Sequence, residues 1–242
     1  MKKTSIIIPT YNGRELLKDC IYSIKRHTDE PYEIIVVDNG STDGTLDICR
    51  QEELSFISLA ANTGFPAACN RGLKIASGDA LLLLNNDIIV TRNWLGNMLK
   101  CLYSAEDVGI VGPLTNFASG RQQIGIPYTN IEDMTDRYNK PDSGKWMEID
   151  RVVGFCFLFK RELMERIGLL DEQFSPGHFE DDDYCHRAKS AGYQLRVAGD
   201  VFIFHHGNSS FLQQDESKVK QLIESNRHRF ISKWGFDPAI YV

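Results

Sequence analysis

With 242 residues, 42% of them apolar and 25% charged, the chain has the size and balance of one globular unit with a sizeable core. A net charge of −6 and the absence of any long run among 27 basic residues argue against a nucleic-acid partner. No apolar stretch reaches the roughly 18 residues of a spanning helix, and residues 5–9, after a basic start, are too short for a signal peptide.

Residues 5–9 (SIIIP) read as a buried first strand. Asn12 with Glu15 three positions on has the form of a capping box, and Leu16, Leu17, Cys20, Ile21 and Ile24 give a helical stripe. Residues 33–37 (EIIVV) make a second strand ending at Asp38, followed by turn chemistry over 39–44 and a short helix through Ile48. A third strand is expected over 56–59, and Pro66 is placed to be the first residue of the next helix, which ends at Ser77-Gly78. Residues 80–90 (ALLLLNNDIIV) are a continuous apolar run interrupted by Asn85, Asn86 and Asp87, the pattern of a strand buried on both faces with polar residues at its carboxyl end. A helix over 93–103 and a strand over 108–111 follow.

Four alternations of strand and helix in about 110 residues imply an α/β fold, a mostly parallel sheet with helices on both faces. Residues 115–145 are polar and rich in turn formers, and a loop of that length is expected to be functional, mobile or folded as a hairpin. Strand signal returns over 151–159, then a helix over 161–167, and the acidic segment Glu180-Asp181-Asp182-Asp183 opens a helix running to Ser190. Two short strands over 194–197 and 201–204 lead into His205-His206, and a last helix over 215–234 carries Val219, Leu222, Ile223 and Phe230. The six cysteines (Cys20, Cys49, Cys69, Cys101, Cys156, Cys185) lack CxxC spacing and read as reduced, mostly buried thiols of a cytoplasmic protein rather than a zinc site.

The chemistry-bearing residues sit at strand ends or helix starts: Thr10-Tyr11-Asn12-Gly13, Asp38 to Asp43, Asn85 to Asp87, and His205-His206. Strands of a parallel sheet share one carboxyl edge, so the first three groups should meet there, where such folds bind ligands. No glycine-rich phosphate loop is present, so a nucleotide would be held by Asp38 reading a base and by a cation on its diphosphate. Asp38 is equally a turn residue, and Asp43 fits that role better. Acidic residues suit a first helical turn. Four in a row exceed that need, however, and a carboxyl with a raised pKa would serve as a general base. Successive strand residues point opposite ways, so only one of His205 and His206 can face the pocket.

SIIIPTYNG, VVDNGSTDGT, NTGFPAACNRGL, LLLLNND, FEDDDYCHRAKSAG and the HHG after a strand together resemble a family 2 glycosyltransferase of the GT-A fold, from Ser5 to about Ser210. The NND form and GFPAACNRGL resemble its rhamnosyltransferase-like branch, implying a donor such as dTDP-rhamnose or a UDP-sugar. The resemblance implies one domain, with a nucleotide-sugar half over 1–112, an acceptor and catalytic half over 113–212 and a C-terminal helix over 213–242. It assigns Pro9, Tyr11 and Asp38 to the nucleobase and ribose, and Asn62, Asn70 and Arg71 to the nucleotide pocket. Asn85 and Asn86 join the donor site, and Asp87 and His205 would hold Mg2+ or Mn2+, with His206 the rival ligand. Asp181 becomes the catalytic base of an inverting transfer, with residues 115–145 as an acceptor-side lid. The implied acceptor is a glycan or lipid-linked glycan, which would bring a cytoplasmic enzyme to the inner face of the membrane. Asn85 stands where the family's metal motif has its first aspartate, leaving Asp87 as that motif's one anionic ligand. The rival expectation is a sugar-nucleotide binding protein of the same fold with an impaired site. A nucleotidyltransferase is disfavoured, because the turn after the first strand lacks lysine and has few glycines.

Overall fold

The computed structural model describes residues 2–207 and 216–241. The expected end of the motif region at Ser210, the boundary at 213 and the start of the last helix at Asp215 lie outside the described residues. The first half is four strand–helix alternations: β1 (Thr4–Thr10), α1 (Arg14–His27), β2 (Tyr32–Asp38), α2 (Thr45–Gln51), β3 (Ser55–Ser58), α3 (Phe65–Ile75), β4 (Ala80–Leu84), a two-residue β5 (Ile88–Ile89), and α4 (Trp94–Leu102). The second half adds β6 (Val108–Thr115), α5 (Ile131–Tyr138), β7 (Trp146–Ile149), β8 (Cys156–Lys160), α6 (Arg161–Ile167), α7 (Glu180–Ser190), β9 (Gln194–His205) and α8 (Glu216–Trp234).

The sheet order is β3-β2-β1-β4-β8-β6-β9-β5, with β7 pairing β9. β3, β2, β1 and β4 run parallel, β8 lies antiparallel between β4 and β6, and β9 pairs β6 in parallel. The mostly parallel α/β expectation therefore holds. Strand side chains alternate between two apolar layers. Ile6, Ile8, Val36, Leu82 and Leu84 face α1 and α4, while Ile7, Ile35, Val37, Leu81 and Leu83 face α3, α6 and α7. Both faces being covered is why these strands read as unbroken apolar runs. All six cysteines are free and buried. Among the described residues no helix is long and apolar enough to cross a membrane.

Several local expectations change. Asn12 does not cap α1: it takes φ +47, its Oδ1 accepts the Thr42 N–H at 2.8 Å, and Gly13 is the N-cap without a side-chain cap bond. Phe65, not Pro66, is the first residue of α3. Residues 151–155 leave the ladder. The Val152 and Gly154 amides meet Cys185 Sγ and Asp181 Oδ2, and the Val153 amide meets Gln122 Oε1. The two short strands after Gln194 are one strand, β9, whose register with β6 shifts between Ala198 and Phe202. Residues 115–145 are neither a hairpin nor structureless. They contain α5, with Met134 fully buried and Asn139 bonded to Thr91 Oγ1 and to the Phe202 carbonyl and amide. Of this segment, residues 117–119 line the cavity described below.

Candidate functional site

The carboxyl ends of β1, β2, β4, β6 and β9 share one edge, because parallel register aligns them. Thr10 is opposite Asp38 across the β1–β2 ladder. The Asn86 Nδ2 donates to Thr10 Oγ1 at 2.8 Å, which ties the NND turn to the end of β1. Gly13 allows this approach, since a Cβ there would overlap the Asn86 amide. Two neighbouring turns are laced together by Asn12 N–H to Ser41 Oγ (2.9 Å) and Arg14 N–H to Asp43 Oδ2 (3.0 Å). The expected convergence of these strand tips is therefore present.

Asp87 follows directly and is 5% exposed. Its Oδ1 lies 3.2 Å from His205 Nε2, and Ile88 pairs with His205 across β5 and β9. His205 Nδ1 is 2.8 Å from the Phe117 carbonyl, and a carbonyl can only accept, so Nδ1 carries the hydrogen. Phe155 stacks on the imidazole at 5.3 Å with an 18° tilt. Asn116 brackets the same residue, accepting its N–H at 2.8 Å and donating to its carbonyl at 2.9 Å. In a neutral ring Nε2 is then a lone pair facing a carboxylate, an arrangement that calls for a proton or a cation between them. His206 is exposed and packs edge-on against Phe204, so of the two histidines it is His205 that meets Asp87.

Asn85, Phe117, Gly154, His205 and the acidic start of α7 line a cavity of about 480 Å3. Asp181 reaches it with Oδ2 accepting the Gly154 N–H at 2.9 Å and Oδ1 accepting the Asp182 N–H at 3.0 Å. Arg151 sits 3.8 Å from Asp181 Oδ2 and 2.7 Å from Asp182 Oδ1. Burial opposes the Arg151 charge, but the two aspartates outweigh it and raise its pKa above the usual value. Glu180 differs. Burial first, and then the Asp181 charge, push its carboxyl well above the usual range, and its buried Oε2 has no hydrogen-bond partner among the described residues. Burial and Asp181 likewise raise Asp182, with Arg151 opposing. Asp183 is structural: fully buried, it accepts from Arg187 Nε, Lys233 Nζ and Trp234 Nε1 at 2.8, 2.6 and 2.9 Å. Of the four carboxyls of the acidic turn, burial raises Glu180 and Asp182.

The remaining expected residues divide. Pro9, Tyr11 and Asp38 lie at the β1–β2 tips and do not line this cavity, with Tyr11 45% exposed and Asp38 buried, its Oδ1 accepting the Ser41 N–H. Asn62 is exposed and accepts from Asn39 Nδ2 at 2.9 Å. Asn70 does not face the cavity. Its amide is occupied by the Leu170 carbonyl, Glu172 Oε1 and the Leu170 N–H, so it pins residues 170–172 to α3. Arg71 is exposed on α3 and does not line the cavity either. Residues the sequence reading missed include Asn116, Phe117 and Gly154, whose parts depend on chain neighbours nearly 90 or 30 positions away.

Among the described residues no three His, Cys, Asp or Glu side chains converge on a metal position. Asp87 and His205 therefore fit a divalent cation only as two protein ligands of an open shell, the rest coming from a diphosphate and water, which suits Mg2+ or Mn2+.

The family model described as Glycosyl transferase family 2 matches residues 5–168. The chain is 30% identical to glycosyltransferase AglE of Haloferax volcanii over 212 residues, covering 83% of this chain and 66% of that protein. It is 32% identical to the uncharacterized glycosyltransferase YfnE of Bacillus subtilis over 262 aligned positions, 86% of this chain and 66% of YfnE. The chain thus spans just under two thirds of the length of these curated relatives. The fold is similar to that of the mannosyltransferase PcManGT from Pyrobaculum calidifontis, solved with GDP-Man and Mn2+, with a TM-score of 0.65 and 24% identity over 84% of this chain and 56% of that one.

Proposed function

The chain belongs to glycosyl transferase family 2, and from that premise we propose that it moves a sugar from a nucleoside-diphosphate sugar to a hydroxyl of a glycan or lipid-linked glycan, with inversion at the anomeric carbon. The observation that carries this reading is the shared cavity: Asp181 and His205 line the same space, and His205 is in turn paired with Asp87, one side suited to a nucleophile's proton and the other to a leaving diphosphate. Asp181 Oδ2, oriented by the Gly154 amide, takes the proton of the acceptor hydroxyl as that oxygen attacks in line. Arg151 keeps positive charge beside the carboxylate. Phe117 and Phe155 hold the His205 ring. Asp87 and His205 would hold a divalent cation, which would supply positive charge to a departing diphosphate.

The β1–β2 tips, with Tyr11 and Asp38, are where the nucleoside fits, because Thr10 holds Asn86, the neighbour of the cavity-lining Asn85. The donor is a UDP-, dTDP- or GDP-sugar. AglE and YfnE are named as glycosyltransferases, and PcManGT was solved with GDP-Man and Mn2+. A thermal-shift screen of UDP, dTDP and GDP with and without Mn2+ tests the donor side, because a ligand of the native state raises the midpoint by mass action. Failure of every nucleotide to shift the midpoint would remove the donor site. Slow donor hydrolysis separates a working transferase from an impaired binding protein, the reading that Asn85 in the metal motif favours.

A further inference from the structure

One face of α8 lies along the segment that delivers Asp181. Ile223 lines the cavity, Asn226 is fully buried, Phe230 is fully buried and sits 6.5 Å from Phe179 centroid to centroid, and Lys233 and Trp234 both donate to Asp183. Positions 223, 226, 230, 233 and 234 are the i, i+3, i+7, i+10 and i+11 of a single helical stripe. The stripe expected from the sequence, Val219, Leu222, Ile223 and Phe230, shares Ile223 and Phe230 with this face; Val219 and Leu222 are half-buried, and Asn226 is not part of it. None of these residues falls within residues 5–168 matched by the family model.

Asn226 is the polar centre of this face. Its Nδ2 donates to the carbonyls of Phe174 (2.8 Å), Gly177 (2.8 Å) and His178 (3.2 Å), and its Oδ1 accepts from Arg229 Nη1 at 2.6 Å. Two amide hydrogens serving three carbonyls require a shared bond, so the side chain is fully used. The carbonyls belong to the stretch immediately before the acidic turn. His178 and Phe179 both take φ +73, a left-handed conformation that non-glycine residues hold only when their surroundings impose it. From this backbone Glu180 and Asp181 enter α7. On the far side of Asp181, Asp183 is tied to the same helix α8. Asp181 therefore sits between two anchors on one helix.

We propose that Asn226 is a positioning residue for Asp181, and that α8 braces the acidic turn so that the Asp181 carboxylate stays on the Gly154 amide and faces the cavity. The inference rests on Asp181 being the acceptor base, and it extends that reading to a residue that touches neither substrate nor cation. The chemical reason is directional. A base must lie within hydrogen-bond reach of the proton it takes, and a displacement of about 1 Å can cost two orders of magnitude in rate. A buried asparagine that holds three carbonyls fixes position in a way an apolar side chain of equal size cannot.

The test uses the full chain carrying Asn226→Leu, alongside Asp181→Asn and the wild type. Amide hydrogen exchange is followed by mass spectrometry, and nucleoside-diphosphate release is followed from a panel of UDP-, dTDP- and GDP-sugars with Mn2+. Asn226→Leu is expected to speed exchange over 174–183 about tenfold or more while β1 and β4 keep their protection. It should lower kcat about a hundredfold with the donor KM and nucleoside-diphosphate affinity unchanged within about twofold. Unchanged exchange over 174–183, or faster exchange spread evenly through the sheet, overturns the proposal, since the asparagine would then do nothing or only support global stability. Local loosening with an unaltered kcat also overturns it, provided Asp181→Asn abolishes turnover. If Asp181→Asn itself keeps full turnover, the assignment of the base has failed rather than the brace, and the exchange data alone decide whether α8 holds the turn.

Discussion

His205 Nε2 stands 3.2 Å from Asp87 Oδ1, while the opposite ring nitrogen, Nδ1, is held 2.8 Å from the Phe117 carbonyl. The ring is therefore fixed in one tautomer and one orientation, with its remaining nitrogen aimed at a carboxylate. Nucleoside diphosphate binding should depend on this pair only through a cation. Asp87→Ala and His205→Ala are each expected to weaken binding about tenfold or more, roughly 1.4 kcal/mol, in the presence of Mn2+. In excess chelator the variants and the wild type should bind alike. Isothermal titration in both conditions decides it, and an equal deficit in chelator would mean that the pair acts without a metal.

Glu180 and Asp181 are adjacent but sit in different surroundings. Burial, and then the Asp181 charge, hold the Glu180 carboxyl well above its usual range, so a glutamine is its close mimic. Glu180→Gln should keep kcat within about tenfold, whereas Asp181→Asn should lower it about 10²–10⁴-fold with donor binding intact. Steady-state and single-turnover rates check both. The reverse ranking would make Glu180 the base.

Stability at the opposite edge of the sheet should follow pH through Glu33. Its carboxylate accepts from Ser5 Oγ, the Ser77 N–H and Ser77 Oγ, and pairs with Lys3 Nζ at 2.9 Å. Partial burial works against the charge, but these bonds win and bring the pKa down to about 2. A carboxyl lowered in the folded state stabilises above its unfolded pKa of roughly 4.3, and the contribution is lost as pH falls toward 2. Glu33→Gln should therefore cost about 2–3 kcal/mol at pH 7 and progressively less toward pH 3 in urea denaturation. A pH-independent difference would show that packing rather than charge is responsible.

Gly13 lies against the Asn86 amide, which holds the NND turn on Thr10. Gly13→Ala should cost about 1–3 kcal/mol through overpacking. It should also weaken nucleoside diphosphate binding, because the displaced turn carries Asp87. Wild-type affinity in a folded variant would show that the Asn86–Thr10 contact does not position Asp87.

The amino-acid sequence by itself determined the sheet and the edge that carries the chemistry. Unbroken apolar runs such as residues 81–84, short and bounded by polar residues, suit strands covered on both faces, and polar residues at the tips of parallel strands then share an edge. It did not determine β7, α5 or the path of residues 151–155, where backbone amides are satisfied by Gln122, Cys185 and Asp181 instead of a ladder. It ranked His205 over His206 and Asp181 over Glu180 only through a family resemblance, and it did not find Asn226 within an apolar stripe. Periodicity records which face of an element is buried, because burial is set locally by the pitch of the chain. The partner of a buried polar group is set by elements brought together from distant positions, and for Asp87, Asp181 and Asn226 only the tertiary structure supplies it.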